Sequence, residues 1–165
     1  MNSDLQKSVE QFLYRKAELC DRQQWVDYLE LFDENSEFHI PQWDSEHVCT
    51  SDPKKGMSLM YYPNRAGLED RVVRIRSGKS PASTPMPRTA HVLGSVLALD
   101  SPAERLRLGS TWVTHVYFPR SRESHAFFGR SEHELALRGG EWRIAKKKIL
   151  LQNDYIPTML DVYCV

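Results

Sequence analysis

The side chains most able to carry chemistry in this sequence are its histidines and cysteines, and both are widely scattered. The histidines are His39, His47, His91, His115, His125 and His133, and the cysteines are Cys20, Cys49 and Cys164. No HxH, HExxH or HxxxH pair occurs, so no local spacing places two imidazoles on one metal ion. No CxxC or CxH pair occurs either. The sequence therefore predicts no metal ligands, bound cofactor or disulfide framework in this chain, with a metal site assembled from distant strands as the open alternative.

His91 is the strongest single candidate for catalysis. It opens the strand-like run PRTAHVLGSVLALD and shares a predicted face with Leu93, Leu97 and Leu99. On such a face, burial and a nearby carboxylate can turn a histidine into a general base. The same pattern also describes a neutral, hydrogen-bonded histidine that stabilises a sheet. No acidic residue has a spacing that selects it as a partner, and GxSxG, GxGxxG and Walker motifs are absent. We therefore assign no catalytic residue, and keep His91 as the base of an alternative hypothesis.

Aromatic residues and an arginine mark a candidate contact surface. Trp43, Tyr61 and Tyr62 precede Arg65 around the segment 44–63, which is rich in Asp, Ser, Lys and Pro and is predicted to be a long loop. Aromatic residues and arginine are enriched in protein interfaces, and long loops are commonly functional or ordered by a partner. These four residues are the interface candidates, with burial in the core as the alternative for each.

The composition argues against several classes of partner. Lys and Arg number 22, Asp and Glu number 22, and the formal net charge is zero, whereas nucleic acids and anionic membranes usually attract a basic surface. No apolar run approaches the roughly 20 residues that cross a bilayer. The charged N-terminal stretch has no apolar signal-peptide region. We expect one cytoplasmic domain over residues 1–165, with reduced thiols.

Two amphipathic helices are predicted at the start of the chain. Ser3 or Asp4 is the expected N-cap of the first helix, and Asp21 opens the second. Their core-facing positions are Val9, Phe12, Leu13, Lys16, Ala17, Leu19 and Cys20, then Trp25, Tyr28, Leu29 and Phe32. Two amphipathic helices need a broad apolar surface to pack against.

The middle of the chain holds a short strand and a third helix. The strand is predicted over 36–43 and is stopped by Pro41. The helix is predicted over 64–78, with Asn64 as its N-cap and Gly78 just past its end.

Four consecutive strands are predicted in the second half, over 88–99, 105–118, 123–137 and 141–152. The segments DSPAE and RGGE between them are hairpin signals, because Gly-Gly supplies the positive φ of a tight turn. Trp142 and Ile144 share one parity, whereas Ile149 and Leu151 share the other, which predicts a β-bulge near Lys146–Lys148. The three lysines alternate faces and favour a solvated, bulged edge. The whole pattern predicts an α+β fold in which a strongly curved mixed or antiparallel sheet wraps around the N-terminal helices.

Five segments in order along the chain carry a resemblance to a known family: FLYRKAELCDRQQWVDYLELF (12–32), FHIPQWDSEH (38–47), MSLMYYPNRAGLEDRVVRIRSG (57–78), PRTAH (87–91) and GEWRIAKKKILLQND (140–154). Over essentially its whole length the chain resembles the small (β) subunit of bacterial aromatic-ring-hydroxylating dioxygenases. The run from QWDSEH to GLEDRV is similar to the benzoate and anthranilate branch, with anthranilate the nearer.

This resemblance implies a cone-like sheet shared with nuclear transport factor 2 and ketosteroid isomerase (an NTF2-like or cystatin-like cone). It implies a large α subunit that holds a Rieske [2Fe–2S] cluster and a mononuclear non-haem Fe(II), an α3β3 hexamer, and a reductase that passes electrons from NADH through FAD. For anthranilate the implied products are catechol, carbon dioxide and ammonia. The small subunit is then expected to stabilise and assemble the oxygenase without catalysing the reaction itself.

Two alternatives stay open at this point. One is a small subunit of a benzoate-type dioxygenase. The other is a stand-alone dehydratase or isomerase of the same cone fold, which would use His91 with a carboxylate. Purified chain with activity of its own, lost in His91→Ala with folding intact, would favour the second.

Overall fold

A computed structural model describes residues 1–99, 105–157 and 159–165. Within them the chain forms helices α1 (Ser3–Asp21), α2 (Trp25–Glu30) and α3 (Ala66–Arg76), and strands β1 (Phe32–Pro41), β2 (Ser58–Tyr62), β3 (Arg88–Ala98), β4 (Leu106–Phe118), β5 (Glu123–Arg138) and β6 (Glu141–Leu151). Short 3₁₀ turns lie at Pro81–Ser83 and Val162–Cys164. The elements follow the order α1-α2-β1-β2-α3-β3-β4-β5-β6.

The strands form one mixed sheet in the order β2-β1-β6-β5-β4-β3. Neighbours pair antiparallel, except that β1 and β6 run parallel. Alternate residues of each strand point to one face, and on the inner face they join the buried faces of the helices in one core. The predicted α+β class is confirmed. The last four strands also match their predicted bounds to within one residue.

The two N-terminal helices form with shifted boundaries. Asn2 caps α1, because its side-chain oxygen accepts a hydrogen bond from a first-turn amide at 2.8 Å. The predicted caps Ser3 and Asp4 lie inside the helix. Asp21 ends α1 instead of opening α2, and Phe32 begins β1 instead of ending α2. The Asp21 side chain is used elsewhere, in a contact with β3 described below.

Near the β2 edge of the sheet, one strand is longer than predicted and another lies in a predicted loop. β1 begins well before the predicted strand 36–43. The predicted loop 44–63 contains β2, which pairs antiparallel to β1. Every residue of β2 is only partly buried, so this short edge strand carries no alternation that sequence periodicity detects.

α3 begins later than predicted, and Arg65 occupies its cap position. The predicted cap Asn64 still contributes locally, because its Oδ1 accepts the Ala66 N–H at 2.9 Å. Gly78 follows the helix with φ +68°, the left-handed conformation expected of a residue past a helix end.

β6 lies in the middle of the sheet, between β1 and β5, instead of at an edge. Lys147 is therefore 1% exposed, and the prediction of a solvated lysine edge is wrong there. Lys146 and Lys148 alternate to the other face and are half-buried. A central strand is covered on both long sides by its neighbours, so only its outer face gives lysines access to water.

The bulge predicted near Lys146–Lys148 lies at Ala145. Glu134 pairs with Lys146 and Leu135 pairs with Ile144, which leaves Ala145 as the extra residue. Because this residue shifts the side-chain parity by one, the core face passes from Ile144 to Lys147 and the residues that alternate with it.

β3 contains a second bulge, which the sequence pattern did not predict. Its pairing to β4 slips just before Leu97, and Ser95 adopts φ 50°. Val96 consequently points into the core, whereas Leu97 and Leu99 are exposed. The predicted common face of His91 with Leu97 and Leu99 is wrong, because the bulge reverses the strand's parity between them.

The RGGE hairpin is confirmed, with Gly139 and Gly140 at φ 58° and 83°. The DSPAE turn falls at 100–104 and lies outside the described residues. In the part of the chain that is described, no helix is long and apolar enough to cross a membrane.

Candidate functional site

His91 lies near the start of β3, against the C-terminal end of α1. Its ring Nδ1 is 2.5 Å from Asp21 Oδ1, and its main-chain N–H donates to Asp21 Oδ2 at 2.9 Å. The Thr89 hydroxyl donates to Oδ1 at 2.8 Å. One carboxylate therefore ties the end of α1 to two residues of an edge strand.

The protonation of this pair follows from its surroundings. Burial lowers the pKa of His91, although the hydrogen bond to Asp21 opposes that change. Burial acts to raise the pKa of Asp21, but hydrogen bonds from the His91 ring and amide and from Thr89 outweigh it, and the pKa falls. At neutral pH the ring is therefore uncharged and donates its Nδ1–H to an ionised carboxylate.

An Asp–His pair with an unused Nε2 is also the arrangement of a general base. Here, however, His91 Nε2 is buried and has no hydrogen-bond partner among the described residues. A general base must reach the proton that it removes, directly or through one water. The geometry favours the structural role of His91 over the catalytic one.

A second polar cluster lies inside the sheet and was not singled out from the sequence. Lys16 on α1, Lys147 on β6 and His133 on β5 are 4%, 1% and 2% exposed. Each lysine influences the pKa of the other, and His133 is the cross-strand partner of Lys147. Two features of the sequence indicate that these lysines are buried. Lys16 falls on the apolar face of the first helix, and Lys147 shares the parity of Ile149 and Leu151.

Burial lowers the pKa of all three groups in this cluster. For His133 the positive charges of Lys16 and Lys147 act in the same direction. Burial also raises the pKa of the neighbouring Cys20 thiol to about 12, so this thiol stays protonated and supplies no negative charge.

Trp43 is anchored to the body of the sheet. Its indole Nε1–H donates to the Leu151 carbonyl oxygen at 2.7 Å, and its backbone forms an isolated bridge with Cys49. The residue is half-buried, so one part of the ring holds its loop against β6 while the rest meets solvent.

Tyr61 and Tyr62 are consecutive residues of β2, so their side chains lie on opposite faces of the sheet, and Arg65 follows them at the start of α3. The Tyr61 ring meets His39 edge-on at 5.5 Å, and the Tyr62 ring lies 6.0 Å from that of Phe38. These three candidates are all half-buried. Tyr62 packs against the core beside Phe38, whereas Tyr61 lies on the other face of the sheet beside His39.

Arg65 links α3 to β1. Its Nε donates to Glu69 at 2.8 Å and its Nη1 donates to the Phe32 carbonyl oxygen at 3.0 Å. The chain around Arg65 is thus held in one geometry before any partner binds.

The cysteines do not converge. Cys20 and Cys164 are buried, and Cys49 lies in the loop beside Trp43. Burial raises the pKa of the Cys164 thiol to about 12, as it does for Cys20, which opposes the thiolate form that metals bind. Within the described ranges, no three His, Cys, Asp or Glu side chains are grouped to hold a metal ion. A Rieske cluster needs two cysteines and two histidines, and these residues do not fit it.

The comparison with protein families decides between the functional classes. A family model described as "Ring hydroxylating beta subunit" matches residues 15–158. The chain belongs to this family.

Individual relatives agree with that assignment. The small subunit of anthranilate 1,2-dioxygenase from Acinetobacter baylyi is 41% identical over 165 residues, which is 100% of both chains. The β subunit of benzoate 1,2-dioxygenase from the same organism is 35% identical, over 95% of this chain and 92% of the relative. The crystal structure of the benzoate 1,2-dioxygenase β subunit from Burkholderia mallei matches with a TM-score of 0.79, 31% identity and 95% coverage of each chain.

As a ring-hydroxylating β subunit, the chain is one component of an oxidoreductase complex whose large α subunit is its partner. The resemblance found in the sequence is confirmed, and so is the expected NTF2-like fold. Family membership favours the subunit over a stand-alone dehydratase or isomerase.

Proposed function

We propose that this chain is the small subunit of the terminal oxygenase of an anthranilate 1,2-dioxygenase. The observation that carries the proposal is the comparison within one organism: identity to the anthranilate small subunit is 41% over the whole chain, against 35% over 95% of the chain for the benzoate subunit. The substrate is then anthranilate, which O₂ and NADH convert to catechol with loss of carbon dioxide and ammonia.

The proposed partner is a large α subunit in an α3β3 hexamer. That subunit would carry the Rieske [2Fe–2S] cluster and the mononuclear Fe(II), and a reductase containing FAD would deliver electrons from NADH. The small subunit acts by holding the α subunits in their assembled form. Its cysteines, two of them buried thiols with a raised pKa, offer no ligands for such a cluster.

We assign the contact with α to the β2 surface, defined as Trp43, Tyr61, Tyr62 and Arg65 with the exposed apolar residues Val48 and Met57. Val48 is 58% and Met57 is 69% exposed. Exposed apolar side chains beside fixed aromatic rings are typical of the core of an interface. The hydrogen bonds of Trp43 and Arg65 fix this surface before binding, which reduces the entropy lost on association.

Co-expression with the α subunit tests the assembly role. With this chain present we expect a hexamer that turns over anthranilate, and without it we expect α that fails to assemble and loses activity. Equal assembly and equal turnover without this chain would contradict the proposal.

Turnover of the reconstituted complex distinguishes the substrates. Oxygen uptake and catechol release are measured with anthranilate and with benzoate at equal concentrations. A higher kcat/KM for anthranilate is expected, and a higher value for benzoate would assign the chain to the benzoate-type branch.

A further inference from the structure

A surface pocket lies where three connecting segments meet at one end of the sheet. One segment follows α3, the second is the turn between β4 and β5, and the third precedes the 3₁₀ turn at Val162–Cys164. The pocket has a volume of about 370 Å³, within the range of roughly 300–1,000 Å³ that is usual for small-molecule sites. It contains no residue of the β2 surface.

The walls of this pocket are mainly apolar. Three prolines, a phenylalanine and a methionine form them: Pro81, Pro85, Phe118, Pro119 and Met159. Small-molecule sites are usually lined by apolar side chains, with a few polar groups that fix the orientation of the ligand. Phenylalanine rings and methionine sulfur make favourable contacts with aromatic rings. The walls therefore suit a ligand with an aromatic body.

Hydrogen bonds and ring packing hold these walls in place before any ligand binds. The Ser83 and Tyr163 hydroxyls are hydrogen-bonded at 3.1 Å and fix the segment after α3. In the β4–β5 turn the Arg122 N–H donates to the Phe118 carbonyl oxygen at 2.8 Å. The Phe118 ring also packs edge-on against the His125 ring at 5.8 Å. A preformed pocket loses less entropy when it binds a ligand.

Two charged side chains, Arg120 and Glu123, complete the lining. Within the described part of the chain, neither of them forms an ion pair or a side-chain hydrogen bond. A guanidinium group is a planar double donor that matches the two oxygens of a carboxylate. Arg120 can therefore bind the anionic group of a ligand whose body contacts the apolar walls.

We propose that this pocket binds an aromatic monocarboxylate. The ring of the ligand lies against the proline and Phe118 walls, and its carboxylate accepts hydrogen bonds from Arg120. Glu123 repels a second carboxylate and accepts a hydrogen bond from an amino substituent on the ring. Anthranilate carries all of these groups, but the site is argued from its own residues and goes beyond the proposed function.

An NMR titration of the isolated full chain tests the site. The probes are anthranilate, benzoate and phthalate, an aromatic dicarboxylate, each added at constant ionic strength. We expect saturable shifts of the Phe118, Ser121 and Glu123 amide signals with anthranilate and with benzoate, and weaker binding of phthalate because like charges repel. No saturable shift with either monocarboxylate, or equally tight binding of phthalate, would overturn the proposal.

Arg120→Gln separates the carboxylate contact from general binding of anions. The variant removes the charge and the double donor, so affinity for anthranilate is expected to fall at least about tenfold. Arg122→Gln is the matched control, because Arg122 lies in the same exposed turn but outside the pocket lining, and its affinity should equal that of the wild-type chain. Unchanged affinity in Arg120→Gln, or an equal loss in both variants, would contradict the assignment.

Ser121→Trp tests the pocket itself. Ser121 is an exposed lining residue, so a large ring at this position should fill the pocket and abolish binding while both charged side chains remain. Anthranilate that still bound this folded variant would be held outside the pocket, which would also overturn the proposal. These measurements need no α subunit, so a negative result leaves the assembly role untouched and a failure of assembly leaves the titration untouched.

Discussion

Asp21 ties the C-terminal end of α1 to β3. Its two oxygens accept three hydrogen bonds, two from His91 and one from Thr89. A carboxylate beside a histidine resembles an Asp–His catalytic pair. Here, however, both oxygens of Asp21 accept hydrogen bonds from the backbone and side chains of one strand. Its geometry is explained by the need to attach a helix end to an edge strand.

Asp21→Asn should therefore lower stability without abolishing turnover. One oxygen becomes an NH₂ group that faces a backbone N–H donor, so one buried hydrogen bond is replaced by a donor–donor contact. We expect a loss of about 1–3 kcal/mol in the free energy of unfolding, measured by urea denaturation. Asp27→Asn, at an exposed site on α2, is the control. Loss of turnover from a fully folded complex would instead support the general-base hypothesis for His91.

Stability should also fall in mild acid because of the buried histidines. The pKa of His133 is lowered well below its usual value and that of His91 is lowered, in both cases chiefly by burial. In the unfolded chain these rings bind protons below pH of about 6.5, whereas in the folded chain they resist protonation. The free energy of unfolding therefore decreases as pH falls below that value, by up to about 1.4 kcal/mol per pH unit for each ring.

His133→Phe should make this pH dependence shallower. We expect the slope of the unfolding free energy against pH, between pH 6 and pH 5, to fall by up to about 1.4 kcal/mol per pH unit, which corresponds to one proton. His47→Gln, at an exposed loop position, is the control variant. Identical slopes in all three proteins would show that His133 titrates alike in the folded and unfolded chain.

At the scale of elements, β5 and β6 approach each other closely at Gly129. A Cβ on Gly129 would lie 1.9 Å from the Leu150 carbonyl oxygen, a backbone atom of β6. Backbone cannot rotate away as a side chain does. The close approach therefore requires glycine at this point of the sheet.

Gly129→Ala should destabilise the sheet strongly. The strands must separate locally, which we expect to cost at least about 3 kcal/mol by urea denaturation. Gly94→Ala on β3 is the matched control, because its nearest atom would be the Thr111 hydroxyl at an ordinary 3.5 Å. Equal small effects of the two substitutions would contradict this account.

Sequence periodicity predicted correctly the strands that pair with the strand next to them in sequence. The strands from β3 to β6 were placed to within one residue, because each except the first pairs with its predecessor and alternates clearly. The parallel pairing of β1 with β6 has no local signal, so the sequence pattern alone places Lys147 on an exposed edge. The bulge at Ser95 was missed for a related reason: Val96, Leu97 and Leu99 are all apolar, and hydropathy alone does not show which of them turns outward.

At the scale of the whole molecule, the β2 surface combines side chains held by hydrogen bonds with exposed apolar side chains. The contact of His91 with Asp21 spans 70 positions in sequence, and no spacing rule predicts it. By contrast, the aromatic residues of the β2 surface are visible in the sequence, and their contact with the α subunit stays a prediction. What the sequence did not show is that Trp43 and Arg65 are already held by hydrogen bonds to main-chain carbonyl groups.

Met57→Asp should weaken assembly while the chain remains folded. Burying a carboxylate in an apolar contact is unfavourable, and we expect affinity for the α subunit to fall at least about tenfold, or 1.4 kcal/mol, by calorimetric titration. Val73→Asp on α3 is the matched control, since Val73 is 68% exposed and Met57 is 69% exposed. A similar loss with both variants, or with neither, would remove Met57 from the interface.

The parallel pairing of β1 with β6 has a consequence for biosynthesis. Phe38 pairs with Lys147 and His39 pairs with Lys148. The sheet therefore forms completely only after β6, the last strand, has been synthesised. Folds dominated by such distant pairings form slowly, and the open side of β1 is a template for wrong strand partners until then. The nascent chain emerges at about 5–20 residues per second, so the β6-facing side of β1 stays unpaired for several seconds of synthesis.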